Sequence, residues 1–270
     1  MTDDKMPFTE HLSDLRKRII ISLAALLVGF IASFTYSEEI FKILTLPLRS
    51  ELGFSMKYPF ISFIPSNIKN PSLVFLAPAE AFWMHLKVSL VAGLILSLPV
   101  ILHQLWKFVS PGLLPREKKY IAPFVVIATA LFLSGATFCF LFVLPFAMGF
   151  LLTYKTGFMT PMLSVGNYVD FCLKFILAFG AVFELPIVIV FLTRMGIVTP
   201  KTLARNRKYA ILLAFIIAAI LTPTPDAFNQ TLMAVPIIVL YEAGILVSRL
   251  FIKKKTEEEV RGGKEVSPTD

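Results

Sequence analysis

Long apolar stretches alternate with short polar connectors along this chain. A helix needs about 20 apolar residues to cross the hydrocarbon core of a bilayer, and most of the stretches reach that length. We predict spans at about 19–36, 80–105, 121–152, 169–192, 208–221 and 230–250. The pattern therefore predicts an all-α integral membrane protein with six transmembrane helices.

The polar segments outside the spans complete the predicted organisation. Residues 1–18 form an amphipathic segment, because Leu12, Leu15 and Ile19 recur on one helical face. Residues 251–270 are polar and are predicted to be disordered. The span at 208–221 is short against a core of about 30 Å, so the bilayer is expected to thin there.

Composition supports the membrane class. The chain is 56% hydrophobic with 26 Phe, and charged residues make up only 16%, against about 25% in soluble domains. The net charge of +8 is also typical of nucleic-acid binding, but most Lys and Arg lie in alternate connectors, before Ile19, at 107–119, at 194–208 and from Arg249 on. Positive connectors stay on the cytoplasmic side, so both termini are predicted to be cytoplasmic.

The sequence contains no pattern that predicts catalysis, a cofactor or a metal. Cys139 and Cys172 lie in apolar surroundings, where small apolar filling of the core is their expected role. There is no Gly-rich phosphate loop and no Ser/His/Asp spacing. We therefore do not expect an enzyme. The run Lys253–Lys255 is suited to contact anionic lipid head groups.

A polar connector after Phe108 carries one acid among three bases. Pro111, Gly112 and Pro115 end the preceding helix and turn the chain. Glu117 stands among Arg116, Lys118 and Lys119. Two interpretations remain open: Glu117 neutralises its neighbours, or it is a receptor carboxylate for a cation that comes from outside the chain.

Further acids precede the first span. Glu10 and Asp14 are four residues apart, so they project side by side from a helix. Asp14 also stands four residues before Arg18, with which it can form an ordinary ion pair. An acidic pair at the same membrane face as Glu117 nevertheless suggests a cation site.

Polar groups inside the membrane are the other candidates. Glu184 falls about 4 Å from the predicted bilayer centre, where an acid either stays protonated as interhelical glue or marks a functional site. Asp170 and Lys174 are expected to pair at the outer end of the fourth span. Asp226 and Gln230 lie at the turn between the last two spans, where Asp226 can cap a helix.

Several motifs together resemble the TatC family, the receptor subunit of the twin-arginine protein translocase. They are His-Leu-x-Asp-Leu-Arg-Lys-Arg at 11–18, Leu-Pro-Val-Ile-Leu-x-Gln-x-Trp-x-Phe at 98–108, Pro-Gly-Leu followed by Glu-Lys at 111–118, Ala-Phe-Gly-x-x-Phe-Glu-x-Pro at 178–186 and Thr-Pro-x-Pro-Asp-x-x-x-Gln at 222–230. No single motif is very specific, but their order against the six spans is.

The resemblance implies a bent, glove-like, concave arrangement of six helices in the cytoplasmic membrane of a bacterium or archaeon. It implies a receptor that binds twin-arginine signal peptides at its cytoplasmic face and associates with itself. With single-span TatA- and TatB-type subunits, it would move folded proteins on the proton-motive force.

The resemblance also assigns roles by position. Asp14 and Glu117, with Glu10 beside them, would face the arginines of the signal. Five further positions are associated with receptor function or integrity: Phe8, Arg16, Pro47, Pro99 and Phe108. Glu184 matches a buried polar position on the concave face, and Asp226 with Gln230 matches the outer turn.

Two other classes of protein remain to be weighed. A proton-coupled secondary transporter of a small solute would use Glu184 as its carboxylate. The six spans show no internal repeat and no paired broken helices, which such transporters often have. An intramembrane protease would need a catalytic motif that the sequence lacks.

Overall fold

The computed structural model describes residues 8–54, 61–65, 73–109, 121–153, 162–222 and 226–264. The chain divides into two compact units, Met1–Phe179 and Gly180–Asp270. Within the described residues, five helical stretches are long and apolar enough to cross a membrane: Leu12–Thr35, Glu80–Phe108, Ala122–Leu152, Val165–Arg194 and Ala227–Leu250. The predicted all-α membrane class is confirmed.

The first helix is uninterrupted. Helix α1 runs from Phe8 to Thr35, so the amphipathic segment and the first span form one rod of 28 residues. Two short helices follow, α2 at Ser37–Leu44 and α3 at Leu46–Arg49. Acids in the first turn of α2 are favourable there because the N-terminus of a helix carries a partial positive charge.

Helix α4, at Glu80–Val109, packs directly against α1. A Cβ atom at Gly29 would lie 2.6 Å from the carbonyl oxygen of Gly93, and one at Gly93 would lie 2.5 Å from the backbone nitrogen of Phe30. Only glycine permits so close an approach of two backbones. Near the other end of the contact, the Ser37 hydroxyl lies 3.1 Å from the His85 ring nitrogen Nδ1. The two helices are therefore antiparallel.

A proline reshapes the next membrane helix. Helix α5 runs from Ile121 to Phe138, a π turn covers Cys139–Val143, and α6 continues over Leu144–Thr153. The backbone N–H of Leu144 bonds to the carbonyl of Cys139, five residues back. The π turn lies immediately before Pro145, which cannot donate a backbone hydrogen bond.

Helix α7, at Val165–Phe183, supplies the core of the first unit. Phe175 and Phe179 are fully buried, and the ring of Phe171 stacks on that of Phe175 with centroids 4.5 Å apart. Cys139 and Cys172 are also fully buried, as free thiols. Both lie in the core, as expected of small apolar filling.

Two small sheets complete the first unit. Strand β1, Ser50–Phe54, pairs antiparallel with β2, Ile61–Pro65. Strand β3, Leu73–Val74, pairs in parallel with β4, Leu163–Ser164. Because β3 precedes α4 and β4 precedes α7, this pairing holds the first turns of those two helices together.

The second unit contains four helices, α8 at Leu185–Arg194, α9 at Pro200–Arg205, α10 at Arg207–Leu221 and α11 at Ala227–Lys264. Gly244 of α11 packs on α8, where an added Cβ would lie 3.1 Å from the Cα of Pro186. Helix α10 has 15 residues, a length of about 22 Å. It is short against a hydrocarbon core of about 30 Å.

Candidate functional site

Two of the predicted signal-binding acids, Glu10 and Asp14, lie on α1. Asp14 is half-buried, and its Oδ2 accepts a hydrogen bond of 2.7 Å from the Nε of Arg18. The local ion pair expected from their spacing therefore forms. Arg16 is exposed on the same helix, and Phe8 and Glu10 lie in its first turn. Glu117 lies outside the described residues.

The α1–α4 contact fixes the height of Asp14, that is, its position along the helix axis relative to residues of α4. Asp14 and Phe108 stand the same number of residues from Gly29 and Gly93, respectively, on two antiparallel helices. The acid on α1 and the last turn of α4 therefore lie at the same end of the first unit. The connector that carries Glu117 starts at this end.

Aromatic packing closes the base of that connector. The ring of Trp106 near the end of α4 packs against the ring of Phe124 near the start of α5, with centroids 5.0 Å apart. Phe108 is half-buried in the same last turn of α4. The end of α4 and the start of α5 are therefore held close to each other.

Glu184 occupies a break between two helices. Helix α7 ends at Phe183 and α8 begins at Leu185, with Pro186 in its first turn. The N–H of Glu184 bonds to the carbonyl of Ala181 at 3.1 Å, a tighter turn than an α-helix makes. Its Oε1 atom is buried and has no hydrogen-bond partner among the described residues.

Side-chain hydrogen bonds hold Asp226 and Gln230 in place at the start of α11. Asp226 Oδ1 accepts from the backbone N–H of Asn229 at 2.7 Å, the geometry of a helix cap. Its Oδ2 accepts from Asn229 Nδ2 at 3.0 Å. Gln230 Nε2 donates to the carbonyl of Phe215 in α10 at 3.1 Å, so it joins the last two membrane helices. These contacts hold parts of this chain to one another.

The two prolines singled out by the resemblance lie in different settings. Pro47 is buried in the first turn of α3, where a missing N–H costs nothing. Pro99 is exposed within α4, which continues across it to Val109. Both lie in helices that contact α1 or its continuation.

Charged groups near the start of α4 form contacts that sequence reasoning missed. Asp170 was expected to pair with Lys174, and this prediction is wrong: its two carboxylate oxygens lie 2.7 and 2.9 Å from the Nζ of Lys87. Glu80 Oε1 accepts from the backbone N–H of Gly166 at 2.6 Å and from the hydroxyl of Ser164. Spacing along one helix cannot reveal these contacts between α4 and the start of α7.

An ion pair also joins two helices of the second unit. Arg207 Nε lies 2.6 Å from Glu242 Oε1, and its Nη2 donates to Glu242 Oε2 at 2.8 Å. The hydroxyl of Tyr241 donates to the carbonyl of Leu203 at 3.0 Å. These contacts attach α11 to α9 and α10. In the described part of the chain, no three His, Cys, Asp or Glu side chains gather as metal ligands.

Comparison with known proteins identifies the family. The family model described as Sec-independent protein translocase protein (TatC) matches residues 10–236. The chain is 41% identical over 257 residues to the Sec-independent protein translocase protein TatC of Desulforapulum autotrophicum, covering 95% of this chain and 89% of that protein. It is 41% identical over 255 residues to the protein of the same name from Carboxydothermus hydrogenoformans, covering 94% and 97%.

A solved structure extends the likeness to three dimensions. A crystal structure of the twin-arginine translocase receptor TatC superposes with a TM-score of 0.74 at 39% identity, covering 89% of this chain and 98% of that one. Family, relatives and structure therefore agree on a non-enzymatic transport subunit of the membrane. The chain belongs to the TatC family and is a component of a Sec-independent protein translocase.

Proposed function

We propose that this chain is the receptor that binds twin-arginine signal peptides, with Glu117 and Asp14 as the carboxylates that hold the two arginines. The observation that carries the proposal is the height of Asp14, level with the last turn of α4 from which the Glu117 connector starts. A guanidinium group can form two parallel hydrogen bonds with a carboxylate, so a pair of arginines is best bound by two carboxylates. The ammonium group of a lysine cannot form this forked contact. Phe8, Glu10 and Arg16 on α1, and Phe108 on α4, belong to the helical turns at this end of the unit.

The Asp14–Arg18 contact supports the choice of ligand. Asp14 already accepts a guanidinium hydrogen bond at 2.7 Å, so its carboxylate is oriented for this type of donor. A carboxylate has several lone pairs and can accept a second N–H from an incoming arginine. The partial burial of the pair strengthens such a contact compared with one in bulk water.

The proposed orientation places this end in the cytoplasm. The exposed bases Lys107, Arg194, Lys201 and Arg205 follow or precede membrane helices at connectors that positive charge keeps inside. Both termini then lie in the cytoplasm of a bacterial or archaeal cell. The same bases, with Lys253–Lys255 in the last part of α11, suit contact with anionic lipids.

Glu184 is the proposed contact for a single-span partner of the TatA or TatB type. Its buried oxygen has no partner in the residues that the structure describes, and a polar group at that depth gains from an interhelical hydrogen bond. Gln230 and Asp226 stabilise the start of α11. Export of folded proteins would then require docked partners, self-association of the receptor and the proton-motive force.

The experiment that tests the proposal is crosslinking of signal peptides carrying Arg-Arg or Lys-Lys to the full-length protein in membranes. Glu117→Ala and Asp14→Asn should each weaken Arg-Arg binding about tenfold or more, the equivalent of one lost charge-assisted hydrogen bond. Glu39→Ala, an exposed acid on α2, is the matched control and should bind as wild type. Wild-type crosslinking by Glu117→Ala, with normal insertion, would contradict the receptor role.

The alternative function, a proton-coupled transporter of a small solute, has no support from the family. A transporter would move its solute when reconstituted alone, whereas a translocase receptor requires its partners and a signal-bearing substrate. Solute uptake by proteoliposomes that contain this chain only would favour the alternative.

A further inference from the structure

Two cavities of the first unit meet at Trp83 and Lys87. An apolar groove of about 470 Å³ lies between α1 and α4, and is lined mainly by Leu23, Leu26, Leu27, Phe30, Leu86 and Leu90. A second cavity of about 460 Å³ lies between the starts of α4 and α7. Apolar groups make up most of its lining, but Glu80, Asn167 and Asp170 give it polar groups, and we call it the polar compartment. Trp83 and Lys87 line both, so the polar compartment adjoins the apolar groove.

The polar compartment contains an ion pair at membrane depth. Lys87 lies about 10 Å along α4 from Glu80, well inside the apolar span. The side chains of Lys87 and Asp170 are 44% and 38% exposed, although they bond to each other at 2.7 Å. Contact of this pair with hydrocarbon would be costly, so an occupant with its own charges is favoured.

The pair offers one positive and one negative group to such an occupant. Lys87 has three N–H donors, of which Asp170 takes two, and the Asp170 carboxylate has further lone pairs. Glu80 is less available, because four donors already bind its oxygens. The compartment therefore matches a zwitterion better than a simple anion, whose charge Asp170 would repel.

The groove matches a hydrocarbon chain. In the α1–α4 register, its far end at Leu23 lies about 24 Å along the helices from Trp83. That distance exceeds the depth of one leaflet, about half of a core of about 30 Å. Trp83, which joins groove and compartment, is a residue type that concentrates at the membrane interface.

We propose that the compartment and the groove bind one membrane phospholipid with a zwitterionic, amine-bearing head group. Its phosphate lies at Lys87, its ammonium group donates to Asp170, and one acyl chain follows the leucines between α1 and α4. The site belongs to the leaflet at the Glu80 end of α4. It is independent of the signal-binding end, where Asp14 lies.

Native mass spectrometry of the full-length protein tests the groove. The protein is equilibrated with dioleoyl phosphatidylethanolamine, phosphatidylglycerol or phosphatidylcholine, and retained lipid is counted. Wild type should retain phosphatidylethanolamine preferentially. Leu90→Trp fills the groove and should lower its retention about tenfold, the equivalent of a few lost methylene contacts. Leu96→Trp, on the same helix and 62% exposed outside the groove, should retain it as wild type.

A double variant tests the head group. Lys87→Gln with Asp170→Asn removes both charges together, so no unpaired charge remains in the membrane. It should bind the three lipids alike, while Leu90→Trp still lowers binding of each. Equal retention by Leu90→Trp and Leu96→Trp would overturn the proposal. So would an unchanged preference in the double variant, or wild-type binding of phosphatidylglycerol or phosphatidylcholine as tight as that of phosphatidylethanolamine.

Discussion

Glu80 and Glu184 are two acids at helix boundaries, one in each compact unit, with opposite surroundings. Glu80 receives hydrogen bonds from the backbone N–H groups of Leu76 and Gly166, both at 2.6 Å, and from Ser164. Glu184 has a buried Oε1 with no hydrogen-bond partner within the described part of the chain. The carboxylate of Glu80 therefore accepts several hydrogen bonds from its own chain, whereas Oε1 of Glu184 accepts none from the described residues.

The difference separates a structural acid from an acid that is available for binding. Removal of a saturated acceptor leaves several donors unpaired, each at a cost in stability. An unsatisfied buried acceptor already carries that cost, and a donor from another molecule removes it. Substitution of Glu80 is therefore expected to lower stability, whereas substitution of Glu184 is expected to weaken the binding of a partner.

The largest effect on stability is expected for Glu80→Ala. The N–H groups of Leu76 and Gly166 and the hydroxyl of Ser164 lose their shared acceptor, and one of the links between the starts of α4 and α7 is lost. The Tm in detergent should therefore fall clearly below that of wild type, and the Tm of Glu80→Gln should fall less. Glu39→Ala, an exposed acid of α2, is the control. A wild-type Tm for Glu80→Ala would contradict the structural role.

Glu184→Leu should have the reverse profile. The substitution removes an unsatisfied polar group, so the Tm should stay level or rise. Docking of a single-span partner should weaken about fivefold, the worth of one interhelical hydrogen bond. Glu184→Gln keeps a donor and an acceptor and should be tolerated. Crosslinking from position 184 measures docking, and crosslinks confined to this chain would indicate interhelical glue instead.

The smallest effects concern two hydroxyls of equal burial. Ser164 is 9% exposed and donates to Glu80, whereas Thr193 is 8% exposed and its hydroxyl oxygen has no partner among the residues described. Ser164→Ala should lower the free energy of unfolding by about 1 kcal/mol. Thr193→Val should change it by less than about 0.5 kcal/mol. Equal losses of unfolding free energy for Ser164→Ala and Thr193→Val in denaturation experiments would contradict the expected difference between a hydrogen-bonded hydroxyl and an unbonded one.

Local sequence patterns predicted much of the helical architecture. Apolar stretches indicated the membrane class, and the spacing of Asp14 and Arg18 indicated their ion pair. Each of these features depends on residues that are close together in the sequence. Periodicity, capping and proline chemistry act over the same short range, so sequence reasoning can reach them.

Contacts between distant segments were beyond that reasoning. Lys87 and Asp170 are 83 residues apart, and Glu80 and Gly166 are 86 apart. Their pairing depends on how α4 packs against α7, which no local rule fixes. The height of Asp14 relative to Phe108 likewise required the Gly29–Gly93 crossing.

The unbroken rod of α1 has a mechanical consequence. Its backbone touches α4 at Gly29, about 22 Å from Asp14 along the helix. A tilt of about 5° around that fulcrum would move Asp14 by about 2 Å, more than enough to lengthen or shorten a hydrogen bond. The part of α1 beyond Gly29, which leads to Ser37 at the start of α2, would move in the opposite direction. A movement at one end of α1 is therefore coupled to an opposite movement at its other end.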